Sequence, residues 1–350
     1  MATSSTSILA ERLWRQRLTD PLEAPAGYVE LFRLLQPVSP TGRPGNPPRL
    51  AYRTRFDDGV EAARLRAQRL IIKGRFLGGK IGYVLAQDLD LYANAFCRPL
   101  SRITEIQELV LEAVQTAGPL TPRQAKEETG LLNKQIMPAL HRLQKAFVVY
   151  EDQVDDDWER WWYDFESEWP EVELDENRRQ AAATQILSRF LQGHVFATFE
   201  QLKDWSQFPS RFLTKLVREM EETALITPQT VDGLGDGWTR APDVSWSKGE
   251  SAPCVFMLGW EDVLVKSHTS ELKRRFGGRE VLRYLLIDGA FQGAVLGHWR
   301  IGPHDVDDIL VTLPAAEQAN RQAEILDAVA QQYHPPHSHI LKYAGQTIAR

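Results

Sequence analysis

Apolar and polar positions recur in two rhythms along the chain, one typical of short helices and one typical of strands. Residues 9–36 carry two apolar stripes with helical spacing, separated by a break containing Pro and Gly. Residues 69–85 resemble two strands joined at Leu77-Gly78-Gly79, which indicates a β-hairpin. A helix is predicted at 87–96. In the C-terminal part, strands are predicted at 281–287, 294–300 and 307–313, followed by a helix at 315–333.

The middle of the chain contains an internal repeat. Residues 121–153 align with residues 198–230 at a constant offset of 77 without a gap, and Thr121 and Thr198 are matched helix N-caps. Chance similarity between two amphipathic helices is the alternative explanation. Each copy predicts a short helix, a turn, a longer helix and a strand, which is the plan of a winged helix. The remaining elements of the two copies are predicted as helices at 106–117 and 181–192 and as partner strands near 161–165 and 238–239.

Charge excludes some classes of function and directs attention to one segment. The formal net charge is −6, so a protein that coats nucleic acid by bulk charge is excluded. Residues 41–80 nevertheless carry ten Arg or Lys against three acids, a local excess of +7. Residues 151–176 carry thirteen Asp or Glu against Arg160 alone, and we expect this acidic stretch to face away from any duplex. The basic segment is interpreted either as a hairpin that follows phosphates or as a solvated surface balanced by the acidic stretch.

Candidate DNA contacts follow from this reasoning. In the basic segment we select Arg64, Lys73, Arg75 and Lys80. The longer helices of the repeats present further cations on their outward faces, because a helix that enters a groove needs donors there. These are Lys134 and Arg142 in the first copy and Arg211, Lys215 and Arg218 in the second. Winged helices also bind proteins, so a protein-binding scaffold stays open as an alternative, favoured by the acidic balance and ten tryptophans.

Motifs for other chemistry are absent from the sequence. There is no P-loop, HExxH, GxSxG or dinucleotide fingerprint. The two cysteines, Cys97 and Cys254, lie too far apart to form a CxxC pair, and the C-terminal histidines His334, His337 and His339 lack a Cys or carboxylate partner nearby. We therefore predict no metal and no cofactor. No apolar run is long enough to span a membrane and no signal peptide is recognised, so we expect a cytoplasmic protein, or a nuclear one in a eukaryote.

Several segments together resemble a known family over nearly the whole chain. They are LLQ at 34–36, KGRFLGGKIGYVLAQDLDLYA at 73–93, the LQKAFVVYED strand region, and YLLIDGAFQGAVLGHWR at 284–300. The resemblance is to bacterial DNA glycosylases that unhook interstrand crosslinks and remove bulky alkylated purines, the azinomycin self-resistance enzyme among them. It implies an α+β fold with tandem winged helices in a C shape around duplex DNA and a β-rich C-terminal domain.

The same resemblance implies a division into four units. By this resemblance, residues 1–100 form a divergent winged helix with a basic hairpin, and residues 101–176 form a second winged helix with an acidic Trp-rich wing. Residues 177–245 form a third winged helix, and residues 246–350 form a β-rich domain with a terminal helix.

The resemblance also implies a catalytic motif of Gln, an aliphatic residue, then Gln or Asp. Here the matching residues are Gln36-Pro37-Val38, so Gln36 is retained and Val38 replaces the second polar residue. An isopropyl group cannot orient a water molecule, and Ser39 lies one position away. Asp57 or Asp58 is a hypothetical substitute. In the family, the polar pair holds water and stabilises positive charge on the sugar as the glycosidic bond breaks.

We therefore expect a protein that binds double-stranded DNA, alkylated or crosslinked, without a membrane partner. If active, it is a monofunctional DNA glycosylase that hydrolyses the N-glycosidic bond of a bulky alkylated purine, with Gln36 positioning water. The alternative is a catalytically silent DNA-binding or scaffold protein, since Val38 interrupts the motif.

Overall fold

The computed structural model describes residues 4–42, 46–152, 159–241 and 252–348, and they form an α+β fold. The N-terminal elements are α1 (Ser5–Arg15), α2 (Tyr28–Leu35), α3 (Asp58–Ala67), β1 (Ile71–Phe76), β2 (Lys80–Leu85) and α4 (Leu89–Phe96). The hairpin expected at Leu77-Gly78-Gly79 is confirmed. Residues after α2 run along the free edge of β2, where Val38 and Tyr83 exchange both backbone hydrogen bonds, at 2.9 and 2.8 Å.

Both copies of the repeat are winged helices. The first contains α5 (Glu105–Ala117), α6 (Pro122–Thr129), α7 (Asn133–Lys145), β3 (Val149–Asp152), β4 (Trp161–Asp164) and the short α8 (Phe165–Glu168). The second contains α9 (Arg179–His194), β5 (Phe196–Ala197), α10 (Phe199–Ser206), α11 (Ser210–Glu222), β6 (Ile226–Val231) and β7 (Gly235–Arg240). In the second copy the three strands form one sheet in the order β5-β7-β6.

The offset of 77 holds for the backbone as well as the sequence. Helices α6 and α7 begin and end 77 positions before α10 and α11. Thr121 and Thr198 both form capping boxes, with Gln124 and Gln201 respectively. Phe147 and Ala224, the matched residues before the wing strands, share a positive φ of 54°. Agreement at caps and turns, where few conformations are allowed, confirms the repeat.

The C-terminal elements are β8 (Val255–Leu258), α12 (Val263–Ser267), α13 (Thr269–Phe276), β9 (Val281–Ile287), β10 (Ala290–Leu296), β11 (Asp308–Val311), α14 (Ala315–Asn320), α15 (Gln322–Ala330), β12 (Lys342–Tyr343) and β13 (Gln346–Thr347). The strands form one sheet in the order β13-β12-β11-β10-β9-β8. The strand expected at 294–300 instead occupies Ala290–Leu296, because the Asp288-Gly289 turn is tight and β10 begins directly after it. The predicted boundary between residues 245 and 246 lies outside the described residues.

The units share apolar cores, which fixes the hairpin relative to the repeats. One core joins β1 and α4 to α9, α10 and α11, and in it Phe96 stacks on Phe208 with ring centroids 5.1 Å apart. Helix α1 also reaches across the molecule. Leu13 packs with C-terminal core residues, and the Arg12 guanidinium donates to the carbonyl oxygens of His194 and Phe196, at 2.8 and 2.9 Å. No helix in the described ranges is long and apolar enough to cross a membrane.

Candidate nucleic-acid interface and candidate active site

Most of the basic segment at 41–80 is neutralised by carboxylates. Its ion pairs join Arg49 to Asp57 and Asp58, Arg53 to Asp262, Arg64 to Glu61, Arg66 to Asp152, Arg69 to Glu168, and Lys73 to Glu151. Arg43 lies outside the described residues. The acidic stretch supplies three of these partners, so it packs against the basic segment. The interpretation of a surface balanced by the acidic stretch therefore holds for Arg66, Arg69 and Lys73. Acids of the segment itself and Asp262 pair with Arg49, Arg53 and Arg64.

Lys73 shows how complete this neutralisation can be. Its Nζ lies 2.6 Å from a carboxylate oxygen of Glu151, and the two side chains are 1% and 0% exposed. Burial opposes ionisation of Glu151, yet the ammonium group of Lys73 holds the pKa of this carboxyl below its ordinary value. A buried, paired ammonium group cannot contact a phosphate at the surface. We therefore remove Lys73 from the proposed DNA contacts.

A different group of cations lacks carboxylate partners. Arg75, Arg98, Arg142 and Lys145 come together where the tip of the β1–β2 hairpin meets the C-terminal end of α7, and we call them the tip cluster. Burial lowers the pKa of Lys145, and the positive charges of Arg75, Arg98 and Arg142 lower it further. Among the described residues, no member of the tip cluster forms an ion pair with a carboxylate. Crowded positive charge of this kind favours binding of an anion.

Hydrogen bonds hold the tip cluster in place. Arg75 donates to the Gln144 side-chain oxygen at 2.6 Å and to the Gly79 carbonyl at 3.2 Å. Arg142 donates to the carbonyls of Arg98 and Pro99, both at 2.8 Å. These hydrogen bonds are made to neutral oxygens, so none of them cancels a positive charge, and Glu151 acts on Arg75 without forming an ion pair with it.

Glycine allows the hairpin to approach α7 this closely. Gly79 has a φ of +85°, and a Cβ atom there would lie 2.8 Å from Cε of Lys145. The next residue, Lys80, is exposed, and no carboxylate in the described ranges pairs with it. Lys80 is therefore a further exposed cation at the hairpin tip, outside the tip cluster.

The other selected cations are exposed, in differing surroundings. Lys134 and Arg211, which occupy matched positions in the repeat, are exposed at the starts of α7 and α11. Lys215 donates to the Gln180 side chain at 2.8 Å, and Arg218 forms an ion pair with Glu222. Arg64 is exposed but paired with Glu61. A contact between any of them and DNA stays a prediction.

Gln36 lies at the end of α2 in a buried polar group. Its side-chain oxygen accepts from the Leu85 backbone N–H at 2.8 Å, and its side-chain nitrogen donates to Asp88 at 2.8 Å. Asp88 also lies 3.3 Å from Arg33 and 2.8 Å from Arg189. Gln36 is 2% exposed and Asp88 7%, whereas the two arginine side chains are 35% and 24% exposed. The polar group thus reaches the surface through its arginines.

Asp88 is a candidate that the sequence did not indicate. It is 52 positions from Gln36, and only the fold brings the two together. By contrast, Asp57 accepts from the Gly59 N–H at the start of α3, and Asp58 binds Arg49 and the Leu50 N–H. The carboxylates of Asp57 and Asp58 therefore hold local structure, and they do not provide the second polar group of the motif beside Gln36.

The Gln36–Ser39 segment also contacts the C-terminal unit, through Ser39. Val38 is buried against β2, and the hydroxyl of Ser39 accepts a hydrogen bond from Nζ of Lys266 at 2.6 Å. Burial lowers the pKa of Lys266 to about 8. Lys266 belongs to α12 of the C-terminal unit, 227 positions away from Ser39. Nothing in the sequence indicated this contact.

Two large apolar side chains stand out on the surface. Trp299 and Ile301 are 67% and 83% exposed on the loop between β10 and β11, with Arg300 between them. The Trp299 backbone N–H donates to Glu280 at 2.7 Å, which fixes the base of this loop. The sequence signal is the short run HWRI between Gly297 and Gly302.

A metal site is not evident. The described residues contain no group of three or more His, Cys, Asp or Glu side chains that could hold a metal ion. Of the C-terminal histidines, His339 lies 3.3 Å from the Asp305 carboxylate and His334 contacts the Pro335 carbonyl.

Comparison with known proteins identifies the fold. No family model matches the sequence, and no curated protein matches it. The structure is similar to that of the DNA glycosylase AlkZ from Streptomyces sahachiroi, with a TM-score of 0.67 and 15% sequence identity. The similarity covers 94% of this chain and 97% of that one. At this identity the likeness establishes the fold alone, and it extends from end to end.

The buried pair of Lys73 and Glu151 generates a test of its structural role. Lys73→Met leaves Glu151 buried without its ammonium partner, and we expect the free energy of unfolding to fall by about 3–5 kcal/mol. The double variant Lys73→Met/Glu151→Leu removes the uncompensated charge and should recover most of this loss. Urea unfolding measures both. A single variant as stable as the wild type contradicts a structural role, and Arg64→Met, at an exposed pair, is the control with little expected change.

Proposed function

We propose that this protein binds duplex DNA and acts on it as a DNA glycosylase, within the crosslink-repair family that its sequence resembles. The single observation that carries this proposal is the end-to-end similarity to AlkZ, which spans the winged helices and the C-terminal sheet alike. The division into units 1–100, 101–176, 177–245 and 246–350, and their C-shaped arrangement around DNA, are part of the proposal.

The tip cluster is the proposed centre of the phosphate contacts. Its cations repel one another in the free protein, and a phosphate placed among them relieves this repulsion. Lys80, Lys134 and Arg211 extend the surface, and Trp299 and Ile301 supply apolar contact with the duplex. Contacts of this kind read the backbone and give little sequence preference.

The proposed chemistry is hydrolysis of the N-glycosidic bond of a cationic alkylated purine. Such a base leaves readily because it already carries positive charge, and the sugar becomes positively charged as the bond breaks. Asp88, 2.8 Å from Gln36, is proposed to supply the polar group that Val38 lacks. A flipped nucleotide would approach this pair past Arg33 and Arg189, which form its exposed side.

A second candidate function is DNA binding without catalysis. It is favoured by the hydrogen bonds of Gln36, whose side-chain oxygen and nitrogen both already have protein partners. In that case the Gln36–Asp88 pair only holds α2 and β2 together.

Salt-dependent binding of undamaged duplex tests the interface. We expect the logarithm of affinity to fall steeply with the logarithm of salt concentration, and Lys145→Ala to weaken binding and reduce this slope by about one. Fluorescence anisotropy over a salt series measures both. Lys342→Ala, an exposed lysine on β12, is the matched control and should bind like the wild type. Absent or salt-independent binding supports the protein-binding scaffold instead.

Release of 7-methylguanine from alkylated duplex tests the chemistry. We expect the wild type to release the base, and Gln36→Ala and Asp88→Asn each to lower the rate by ~10²–10⁴, because each loses one polar group beside the sugar. Thermal unfolding of each variant checks that it is folded. Binding without release identifies the silent alternative, and unchanged rates in both folded variants remove the pair from the mechanism.

A further inference from the structure

Lys266 is a buried amine whose only hydrogen-bond acceptor among the described residues is neutral. Its Nζ donates to the Ser39 hydroxyl at 2.6 Å, and the two residues are 8% and 3% exposed. Within the described ranges no carboxylate lies at ion-pair distance from it. Burying an ammonium group without a counter-ion is costly, so a site of this kind is retained only at the expense of stability.

The nearby carboxylates are directed elsewhere. Asp262 is the N-cap of α12, but it binds the guanidinium of Arg53 through both of its oxygens, at 2.6 and 3.2 Å. Glu261 acts on Lys266 only at longer range, and the positive charge of Lys80 opposes protonation. Burial is the largest of these effects, and together they bring the pKa of Lys266 to about 8. Deprotonation of this amine is therefore easier than that of an exposed lysine.

The position of this amine links it to the candidate active site. Ser39 directly follows the Gln36-Pro37-Val38 segment, which lies along β2. The other end of that segment holds the Gln36–Asp88 pair. Ser39 is three residues from Gln36, so the amine and the Gln36–Asp88 pair lie at the two ends of one short segment along β2.

We propose that Lys266 is an amine nucleophile that captures the abasic sugar as a covalent imine. This inference rests on the proposed function, because the abasic sugar is the product that a DNA glycosylase leaves. Desolvated lysines beside a second cation are the ones that react with carbonyl groups, and Lys266 with Lys80 has this arrangement. The capture holds a reactive aldehyde on the protein after the base has left.

The step balances without any further reactant. The neutral Nζ attacks C1′ of the ring-opened sugar, which is an aldehyde, and a C–N bond forms while the C=O π bond opens. Transfer of a proton from nitrogen to oxygen gives a carbinolamine. Loss of the hydroxyl with one more proton releases one water molecule and leaves the C=N bond. The step is reversible. When water hydrolyses the imine, the free amine of Lys266 can again donate a hydrogen bond to Ser39.

Borohydride trapping tests the inference. The intact protein is incubated with a duplex that contains one abasic site, and borohydride is added to reduce the imine to a stable amine crosslink. We expect a crosslinked species on a denaturing gel, mapped to Lys266 by peptide mass spectrometry. Its yield should rise with pH around a midpoint near 8, whereas an exposed lysine is expected near ~10.4.

Variants separate amine chemistry from charge. Lys266→Met replaces the buried ammonium group with an apolar chain of similar length, and Lys266→Arg keeps the positive charge but cannot form an imine. Both should lose the crosslink at least tenfold, while Lys273→Met, an exposed lysine on α13, keeps it. Thermal unfolding confirms that each variant is folded. A crosslink of unchanged yield in folded Lys266→Met overturns the inference.

Failure of the inference is distinguishable from failure of the proposed function. Binding of a duplex with an aldehyde-free tetrahydrofuran site, without any crosslink to the abasic duplex, leaves DNA binding intact and assigns Lys266 at most a non-covalent contact. If no duplex binds, propanal and borohydride probe the amine directly. Preferential labelling of Lys266 at pH 8 then supports the reactive amine while the proposed function fails, and labelling confined to exposed lysines overturns the inference.

Discussion

Positive charge without an ion-paired carboxylate at the tip of the β1–β2 hairpin is the constraint on which the functional account depends. The protein is acidic overall, and most cations of its basic segment are paired. Where Gly79 meets α7, however, Arg75, Arg98, Arg142 and Lys145 are brought together, and the hydrogen bonds of Arg75 and Arg142 go to neutral oxygens. Holding these charges together costs free energy in the unbound protein, and a phosphate backbone is the ligand that offsets this cost.

The repeat could be predicted from the sequence because its signals are local. Capping residues such as Thr121 and Thr198, and the spacing of apolar side chains, depend on neighbours a few positions away. The offset of 77 therefore holds for α6, α7, α10 and α11, and the Gly78-Gly79 hairpin was equally readable. The flanking helices predicted at 106–117 and 181–192 extend one residue and up to two residues further in the structure. The β10 strand was misplaced because the alternation of apolar residues does not show that the Asp288-Gly289 turn is tight and that the strand begins directly after it, at Ala290.

The electrostatics could not be predicted in the same way. Whether a lysine is free or paired depends on residues far away in the sequence: Glu151 is 78 positions from Lys73, and Asp88 is 52 from Gln36. Counting charges in a window found a concentration of basic residues but not its counter-ions. The tip cluster was partly missed because Arg98 and Lys145 come from segments with unremarkable composition. Lys266 was missed because its partner Ser39 lies 227 positions away.

The most direct test of the central claim follows the ionisation of Lys145 itself. Reductive ¹³C-methylation of lysines, with Lys145→Arg to assign the signal, allows its pKa to be measured by NMR with and without a short duplex. The account predicts a pKa below that of ordinary exposed lysines in the free protein, because burial and the neighbouring arginines disfavour its charge, and a rise when phosphate enters the cluster. An ordinary pKa that duplex leaves unchanged would contradict it.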